Sequence, residues 1–124
     1  MRIIVSTTTP DIEASLDPRF GRAAYFVAVD PATMEWEAFP NPAMAAAGGA
    51  GTQAAQFIAS QGAQAAISGD FGPNAYMALQ AAGIQMFVSA GATTARAAVE
   101  AYNAGTLQAI AGPTGPALHG RGRR

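Results

Sequence analysis

Apolar side chains recur at helical spacing in three stretches of the chain after residue 52. These stretches are residues 53–61, 74–82 and 94–104. Each is followed by a glycine, namely Gly62, Gly83 or Gly105. Glycine is favoured just past a helix end because it accepts a left-handed backbone at little cost. The pattern therefore predicts three helices with defined ends.

Apolar runs before and between these helices predict strands. The runs lie at residues 2–6, 24–29, 63–68 and 84–89. Residues 34–39 alternate apolar and acidic positions, which predicts a half-exposed strand at the edge of a sheet. Residues 107–110 are a weaker candidate for a further strand.

The connections between the elements predict how the strands pair. A long polar loop at 7–22 and a tight turn at 30–33 join the first three strands, which favours an antiparallel meander. The later strands are separated by helices, and such crossovers make neighbouring strands parallel. The sequence therefore predicts an α/β fold with the element order β-β-β-α-β-α-β-α.

The length and composition indicate one small domain with a polar tail. The chain has 124 residues, half of which are hydrophobic. Residues 111–124 are rich in glycine, proline and arginine, so we expect a domain at 1–110 followed by a disordered tail. No run approaches the ~18 apolar residues of a membrane span. The apolar start at 2–6 is too short for a signal peptide, so we expect a cytoplasmic location.

The inventory of charged and sulfur-bearing residues excludes several classes of function. The chain has no cysteine and no lysine, which excludes disulfides, thiolate catalysis and thiolate-ligated metal centres. Three of the seven arginines lie at 121, 123 and 124, which leaves four arginines against eight acidic residues in 1–120. A body with this negative charge is a poor general binder of nucleic acid.

The predicted topology gathers four loops at one edge of the sheet. These loops are residues 7–22, 40–52, 69–74 and 89–94. Open α/β sheets bind ligands outside the carboxyl ends of their strands, where helix N-termini offer free N–H groups and partial positive charge. We therefore expect an anion-binding site at this edge.

The first loop carries the most distinctive chemistry. It contains Asp17-Pro18-Arg19-Phe20-Gly21-Arg22, in which two arginines flank an aromatic residue. Arginine offers a planar fork of hydrogen-bond donors to an anion. The alternative is a structural loop in which Phe20 fills the core and Asp17 pairs with an arginine.

Two further loops could contribute backbone N–H groups. Gly48-Gly49-Ala50-Gly51-Thr52-Gln53 opens a helix, but it is neither a Walker motif nor GxGxxG, and Thr52 could simply cap the helix. Ser68-Gly69-Asp70-Phe71-Gly72-Pro73-Asn74 runs from a strand end into a helix that proline can start. There Asn74 could cap the helix or bind a ligand, and the alternative is a well-formed turn.

His119 is the one histidine of the chain and lies between Leu118 and Gly120 in the arginine-rich tail. It could ligate a metal or lie over a bound anion. The alternative is a solvated tail residue without a role.

The loop motifs resemble those of the dinitrogenase iron–molybdenum cofactor-binding and biosynthesis family. The resemblance is carried by Asp17-Pro18-Arg19-Phe20-Gly21-Arg22, by Gly49-Ala50-Gly51-Thr52-Gln53-Ala54-Ala55 and by Gly69-Asp70-Phe71-Gly72-Pro73-Asn74-Ala75. It covers roughly residues 1–110. Within the family the chain looks closest to the small stand-alone members, which include a molybdenum–copper protein of sulfate reducers.

This resemblance implies a ribonuclease-H-like three-layer fold with a five-stranded mixed sheet, which makes a strand at 107–110 doubtful. It implies non-covalent binding of a metal–sulfur cluster or its precursor, of the Mo/Fe–S or Mo–Cu–S type. A cluster whose sulfides already satisfy its metals needs anion recognition more than thiolates, which suits a chain without cysteine. The implied site residues are Arg19, Phe20, Gly21, Arg22, Gly51, Thr52, Gln53, Gly72 and Asn74.

The expected function is therefore that of a carrier of an anionic metal–sulfur cofactor, not an enzyme. We expect donor and acceptor proteins as partners, no nucleic acid or membrane, and a monomer or weak dimer. The alternative is a binding module for partner proteins or for small anions such as nucleotides. A two-metal nuclease would need clustered carboxylates on central strands, whereas residues 2–6 have none and Asp17 and Asp70 alone are few.

Overall fold

A computed structural model describes residues 1–89 and 94–114 of the protein, which contain one sheet and three helices. The strands are β1 (Ile3–Thr7), β2 (Tyr25–Val29), β3 (Trp36–Pro40), β4 (Ala65–Ser68), β5 (Gln85–Val88) and β6 (Gln108–Ala109). The helices are α1 (Ala50–Ser60), α2 (Pro73–Ala81) and α3 (Ala95–Ala104). Up to the end of α3, the elements follow the predicted order.

The sheet is mixed, and its strands lie in the order β3-β2-β1-β4-β5-β6. β1 pairs antiparallel with β2 and parallel with β4. β3 pairs antiparallel with β2, and β5 pairs parallel with β4. The predicted meander of the first three strands and the predicted parallel crossovers are therefore confirmed.

The sheet has six strands, so the expectation of five was wrong. β6 pairs antiparallel with β5, through Phe87 with Ala109 and Val88 with Gln108. The N–H of Ile110 continues this edge by donating to the carbonyl oxygen of Met86 at 3.0 Å. β6 is short and both of its residues are exposed, so it lacks the buried apolar run by which a strand is recognised in a sequence.

Helices cover both faces of the sheet and give the expected three layers. α1 and α2 pack on the face that carries Ile4, Phe26 and Ala66. α3 packs on the opposite face, against Ile3 and Val5. Successive residues of a strand point to opposite faces, so β1 is apolar throughout because both of its faces are covered. The assignment as ribonuclease-H-like stays a prediction.

Glycines end the three helices, as predicted. Gly62, Gly83 and Gly105 have positive φ angles of 79°, 75° and 75°. L side chains rarely adopt this conformation, so glycine turns the chain out of each helix at little cost. Within the described residues, none of the helices has the length and apolar character needed to cross a bilayer.

The start of α1 differs from the prediction. The helix begins at Ala50 and not at residue 53, because Gly49 has a φ of 72° and turns the chain directly into the helix. Gly49 occupies the N-cap position, so Thr52 lies within the first helical turn and does not cap it. The run of glycine and alanine before Thr52 has no apolar periodicity, which is why the sequence did not reveal this helical turn.

β3 forms one edge of the sheet, as predicted. Its Phe39 is partly buried and packs edge-on against Phe57 of α1, with 5.7 Å between the ring centroids. Its Glu37 is exposed and pairs with Arg2 at 2.8 Å. Charged side chains at a sheet edge discourage pairing with a strand from another molecule.

Ordered contacts continue past the predicted domain boundary at residue 110. The N–H of Thr114 donates to the carbonyl oxygen of Phe71 at 2.7 Å, and the Tyr76 hydroxyl donates to the carbonyl oxygen of Ala111 at 2.9 Å. Residues 111–114 therefore pack on the domain instead of starting the predicted disordered tail. The rest of that segment, residues 115–124, lies outside the described residues.

Two buried serines tie the first loop to the carboxyl edge of the sheet. Ser6 of β1 donates its hydroxyl to the carbonyl oxygen of Asp17 at 2.7 Å, and its oxygen lies 2.8 Å from the hydroxyl oxygen of Ser68 in β4. The N–H of Asp17 donates back to the carbonyl oxygen of Ser6 at 2.8 Å. These bonds hold the arginine-bearing loop against the ends of two neighbouring strands.

We expect Ser6→Ala to lower the free energy of unfolding by about 1–3 kcal/mol, because it removes the donor to a buried carbonyl oxygen. Ser60→Ala is the matched control, since Ser60 donates to the carbonyl oxygen of Phe57 at an exposed helix end where water can replace it. The control should change stability by less than about 0.5 kcal/mol. Urea denaturation measures both changes, and equal losses would contradict the role given to Ser6.

Candidate functional site

An open cleft of about 310 Å³ lies at the carboxyl edge of the sheet. It is lined by residues 19–22 of the first loop, residues 49–51 at the start of α1, and residues 70 and 72–75 around the start of α2. Three of the four loops predicted to gather at this edge therefore meet in one cleft. Within the fourth, residues 90–93 lie outside the described residues.

Two helix N-termini meet at this cleft, and neither is capped by a side chain. α1 follows Gly49 and α2 follows Gly72, and a glycine has no side-chain oxygen to accept the first N–H groups. α3 is different, because the hydroxyl of its N-cap Thr94 accepts from the N–H of Ala97 at 3.0 Å. The uncapped ends leave backbone donors and the positive ends of two helix dipoles beside the cleft, which favours an anion there.

Glycines allow the backbones around the cleft to approach closely. A Cβ atom on Gly21 would lie 2.9 Å from the Cα and N atoms of Gly51, and one on Gly51 would lie 3.0 Å from the N atom of Ala75. A Cβ on Gly69 would lie 2.6 Å from the Cα atom of Pro18. The first loop, α1 and α2 are therefore in direct backbone contact, which sets the width of the cleft.

Arg19 lies at the cleft and is oriented by Asp17. The Arg19 side chain is 65% exposed, and its Nε donates to Oδ1 of Asp17 at 3.4 Å. The backbone N–H of Arg19 donates to the same oxygen at 3.0 Å. Asp17 is buried, so the pairing named as the structural alternative is present. The same pairing also fixes the direction in which the exposed guanidinium of Arg19 points.

Arg22 lines the cleft and anchors the chain that leads into α1. Its Nη1 donates to the carbonyl oxygens of Met44 and Ala46 at 3.0 and 2.7 Å. A guanidinium has further N–H donors on its other nitrogens, so these bonds do not use its full capacity. Arg22 therefore places a positive charge at the cleft while it holds the neighbouring loop in position.

The ring of Phe20 belongs to the core beneath the cleft. Phe20 is 2% exposed, and its ring centroid lies 5.3 Å from those of both Phe26 and Phe71. The side chain thus fills the core, as the structural alternative for this loop proposed. What Phe20 can offer to the cleft is its backbone.

The structure brings most of the predicted site residues together. Those that line the cleft are Arg19, Phe20, Gly21, Arg22, Gly51, Gly72 and Asn74. Thr52 and Gln53 do not line it, because the helix starts earlier than predicted and places them within the first turn of α1. The predicted metal ligand His119 lies outside the described residues. Among the described residues, no three His, Cys, Asp or Glu are grouped so that they could hold a metal ion.

Two residues of the cleft region were not among the predicted cofactor-binding residues. Asp70 lines the cleft, and its N–H donates to the carbonyl oxygen of Pro18 at 2.9 Å. Asn41 is buried behind it and donates its amide to the carbonyl oxygens of Gly21 and Ala23 at 3.0 and 2.9 Å. The only sequence signal for Asn41 is an asparagine between two prolines, which is equally typical of a plain loop.

A larger groove of about 450 Å³ lies at the opposite edge of the sheet. It is lined by the carboxylates of Asp30, Glu35 and Glu37 and by Arg2, which is paired with Glu37. The excess of negative charge makes this groove unsuitable for an anion. Charge, and not volume, therefore selects the smaller cleft as the candidate site.

Comparison with known proteins finds a matching family model and several similar structures. A family model described as dinitrogenase iron-molybdenum cofactor matches residues 1–105. The apo form of the orange protein from Desulfovibrio gigas is 43% identical with a TM-score of 0.88, over 92% of this chain and 96% of that chain. A candidate NifB protein from Thermotoga is 28% identical with a TM-score of 0.80, over 93% and 97%. No curated protein sequence matches the chain.

A more distant structure shares the fold alone. It is a candidate dinitrogenase from Methanocaldococcus jannaschii, 14% identical with a TM-score of 0.70, over 91% of this chain and 97% of that chain.

We expect Gly21→Ala to lower the free energy of unfolding by about 1–3 kcal/mol, because its Cβ would meet the backbone of Gly51, which cannot rotate away. Gly48→Ala is the matched control, because Gly48 is exposed, no described heavy atom would lie within 4 Å of its Cβ, and its φ is not in the left-handed region. The control should change stability by less than about 0.5 kcal/mol. Urea denaturation compares the two, and a Gly21→Ala variant of unchanged stability would contradict the close backbone contact.

Proposed function

Because the chain belongs to the dinitrogenase iron–molybdenum cofactor family, we propose that it binds and carries an anionic metal–sulfur cofactor or precursor in this cleft. The cargo is a cluster of the Mo/Fe–S or Mo–Cu–S type, held without covalent bonds to the protein. The protein is a carrier and not an enzyme, and it exchanges the cluster with donor and acceptor proteins.

One observation carries the proposal, namely that two uncapped helix N-termini and two arginines meet in one cleft. The helix ends supply backbone N–H donors beside Gly51 and Asn74. Arg19 and Arg22 add two positive charges, against the single negative charge of Asp70. The lining is therefore positive within a chain whose formal net charge is −1, which attracts an anion to this place and not to the rest of the surface.

The absence of cysteine from the chain favours a preassembled cluster over a metal bound by the protein. Such a cluster brings its own sulfide ligands, and its surface needs hydrogen-bond donors and positive charge. Backbone N–H groups and guanidinium groups supply both. A cluster held in this way can leave without breaking a metal–protein bond, as a carrier requires.

A small phosphorylated anion is the second candidate ligand. The observation that favours it is again the pair of uncapped helix N-termini, because phosphate groups bind at such ends in many proteins. The two candidates share the chemistry of an anion. They differ in whether metal and sulfide remain with the protein.

Binding of a thiometallate tests the proposal directly. Apo-protein mixed without oxygen with tetrathiomolybdate and copper(I) should acquire a charge-transfer absorbance and retain molybdenum and copper through gel filtration. Elemental analysis of protein purified without oxygen from its own source would then identify the native metals. Displacement of the thiometallate by excess ATP would favour the phosphorylated ligand, and failure to retain any metal above background would contradict the carrier.

We expect Arg19→Gln to weaken binding of tetrathiomolybdate by about threefold to tenfold, because it removes a charge-assisted donor that is 65% exposed and so partly screened by water. Arg22→Gln should weaken binding by at least as much, since the loop at Met44 and Ala46 also loses its anchor. Arg96→Gln is the control, because it removes one positive charge from α3, where Arg96 pairs with Glu13.

Isothermal titration of the three variants measures these effects, with urea denaturation as a check on folding. The control should bind within about twofold of the unsubstituted protein, because a screened charge outside the cleft acts weakly. Equal loss in all three variants would mean that net charge, and not the cleft, governs binding.

A further inference from the structure

The chain that follows α3 returns to the domain and contacts the segment that leads into α2. Residues 108–114 lie beyond residues 1–105, which the family model matches. Ile110 continues the pairing of β6 with β5, and the carbonyl oxygen of Ala111 accepts from the Tyr76 hydroxyl of α2. The segment then reaches Thr114, which contacts Phe71, the residue before the N-cap Gly72.

Thr114 makes two hydrogen bonds to a single residue. Its backbone N–H donates to the carbonyl oxygen of Phe71 at 2.7 Å, and its hydroxyl oxygen accepts from the N–H of Phe71 at 2.8 Å. Both backbone polar groups of Phe71 are therefore held by one partner. The Phe71 ring is fully buried and packs on Phe20, so this residue is fixed from the core side as well.

Phe71 stands between two residues that line the cleft. Asp70 precedes it, and Gly72 follows it as the N-cap of α2. Gly72 makes no side-chain cap, so the start of α2 is held by its packing on α1 and by the residue that precedes the cap. The position of Phe71 is therefore one of the contacts that set where the free N–H groups of α2 point.

We propose that Thr114 is a positioning residue of the cleft, which acts through Phe71 and holds the N-terminus of α2 in the orientation that binds the anion. This role rests on the proposed function for its ligand and adds a residue outside the four predicted loops. Thr114 does not line the cleft, so it acts on the helix end and not on the ligand.

Removal of the Thr114 hydroxyl should lower the affinity for the anion by freeing the start of α2 to move. Thr114→Val keeps the shape of the side chain and leaves the N–H of Phe71 without its acceptor. The start of α2 then spends more time in orientations that do not bind the anion. The apparent affinity falls in proportion to the fraction of molecules whose α2 is in the binding orientation. The expected loss is about threefold to tenfold, the equivalent of one hydrogen bond.

Two comparison variants separate positioning from a general loss of stability. Thr114→Ser keeps the hydroxyl and should bind within about twofold of the unsubstituted protein. Thr94→Val removes a hydroxyl that also accepts a backbone N–H, at 3.0 Å, but at the start of α3 on the other face of the sheet. It should lower stability and leave affinity unchanged.

Titration of tetrathiomolybdate into these variants, all under conditions where each is folded, tests the proposal. Weaker binding by Thr114→Val alone is the expected result. Unchanged affinity in Thr114→Val, or equal loss in Thr94→Val, would overturn the positioning role.

Amide hydrogen exchange in the ligand-free protein keeps this test independent of the proposed function. The N–H of Tyr76 closes the first turn of α2 on Gly72, and the N–H of Gln53 closes that of α1 on Gly49, each at 2.9 Å. Thr114→Val should speed exchange at Tyr76 and leave Gln53 unchanged. If the unsubstituted protein binds no thiometallate, the carrier proposal fails, and equal exchange at Tyr76 with and without the hydroxyl would still overturn the role of Thr114.

Discussion

The backbone contact between the arginine loop and the starts of α1 and α2 is the constraint on which the cleft depends. Gly21 touches Gly51 at a distance that leaves no room for a Cβ, and Gly51 lies so close to Ala75 that a Cβ there would force a shift of a few tenths of an ångström. Because main chain meets main chain, the two helix ends point into one small space and the loop brings its arginines to the same place. The core beneath, where Phe20 packs on Phe71, holds the loop and the helix end together from below.

Much of the fold could be predicted from the sequence because the period of its apolar residues is undisturbed. Each helix has an apolar stripe and a glycine at its end, and the buried strands are continuous apolar runs. Given that order, the rule that ligands bind at the carboxyl ends of strands is sufficient to gather the loops. This is why the edge that holds the cleft could be located from the sequence, whereas Gly21 and Gly72 were named as site residues from the family resemblance.

The failures have physical causes that leave no mark in the apolar pattern. β6 exists because β5 offers it an edge, and its two exposed residues have no apolar signature. The early start of α1 depends on the backbone of Gly49, and it moved Thr52 and Gln53 out of the lining. Phe20 lies at the cleft, as predicted. Its role differs from the predicted one, because its ring packs in the core.

The two uncapped helix ends have a consequence for the lifetime of the protein. A capping side chain at the N-cap stabilises a helix by about 0.3 kcal/mol relative to glycine, and α1 and α2 lack this contribution. A bound anion supplies what the missing side chains do not, so loading stabilises the folded state by mass action. If the proposed function holds, empty and loaded molecules would differ in their resistance to proteases, and a cell could clear the empty form faster without any receptor that recognises the ligand.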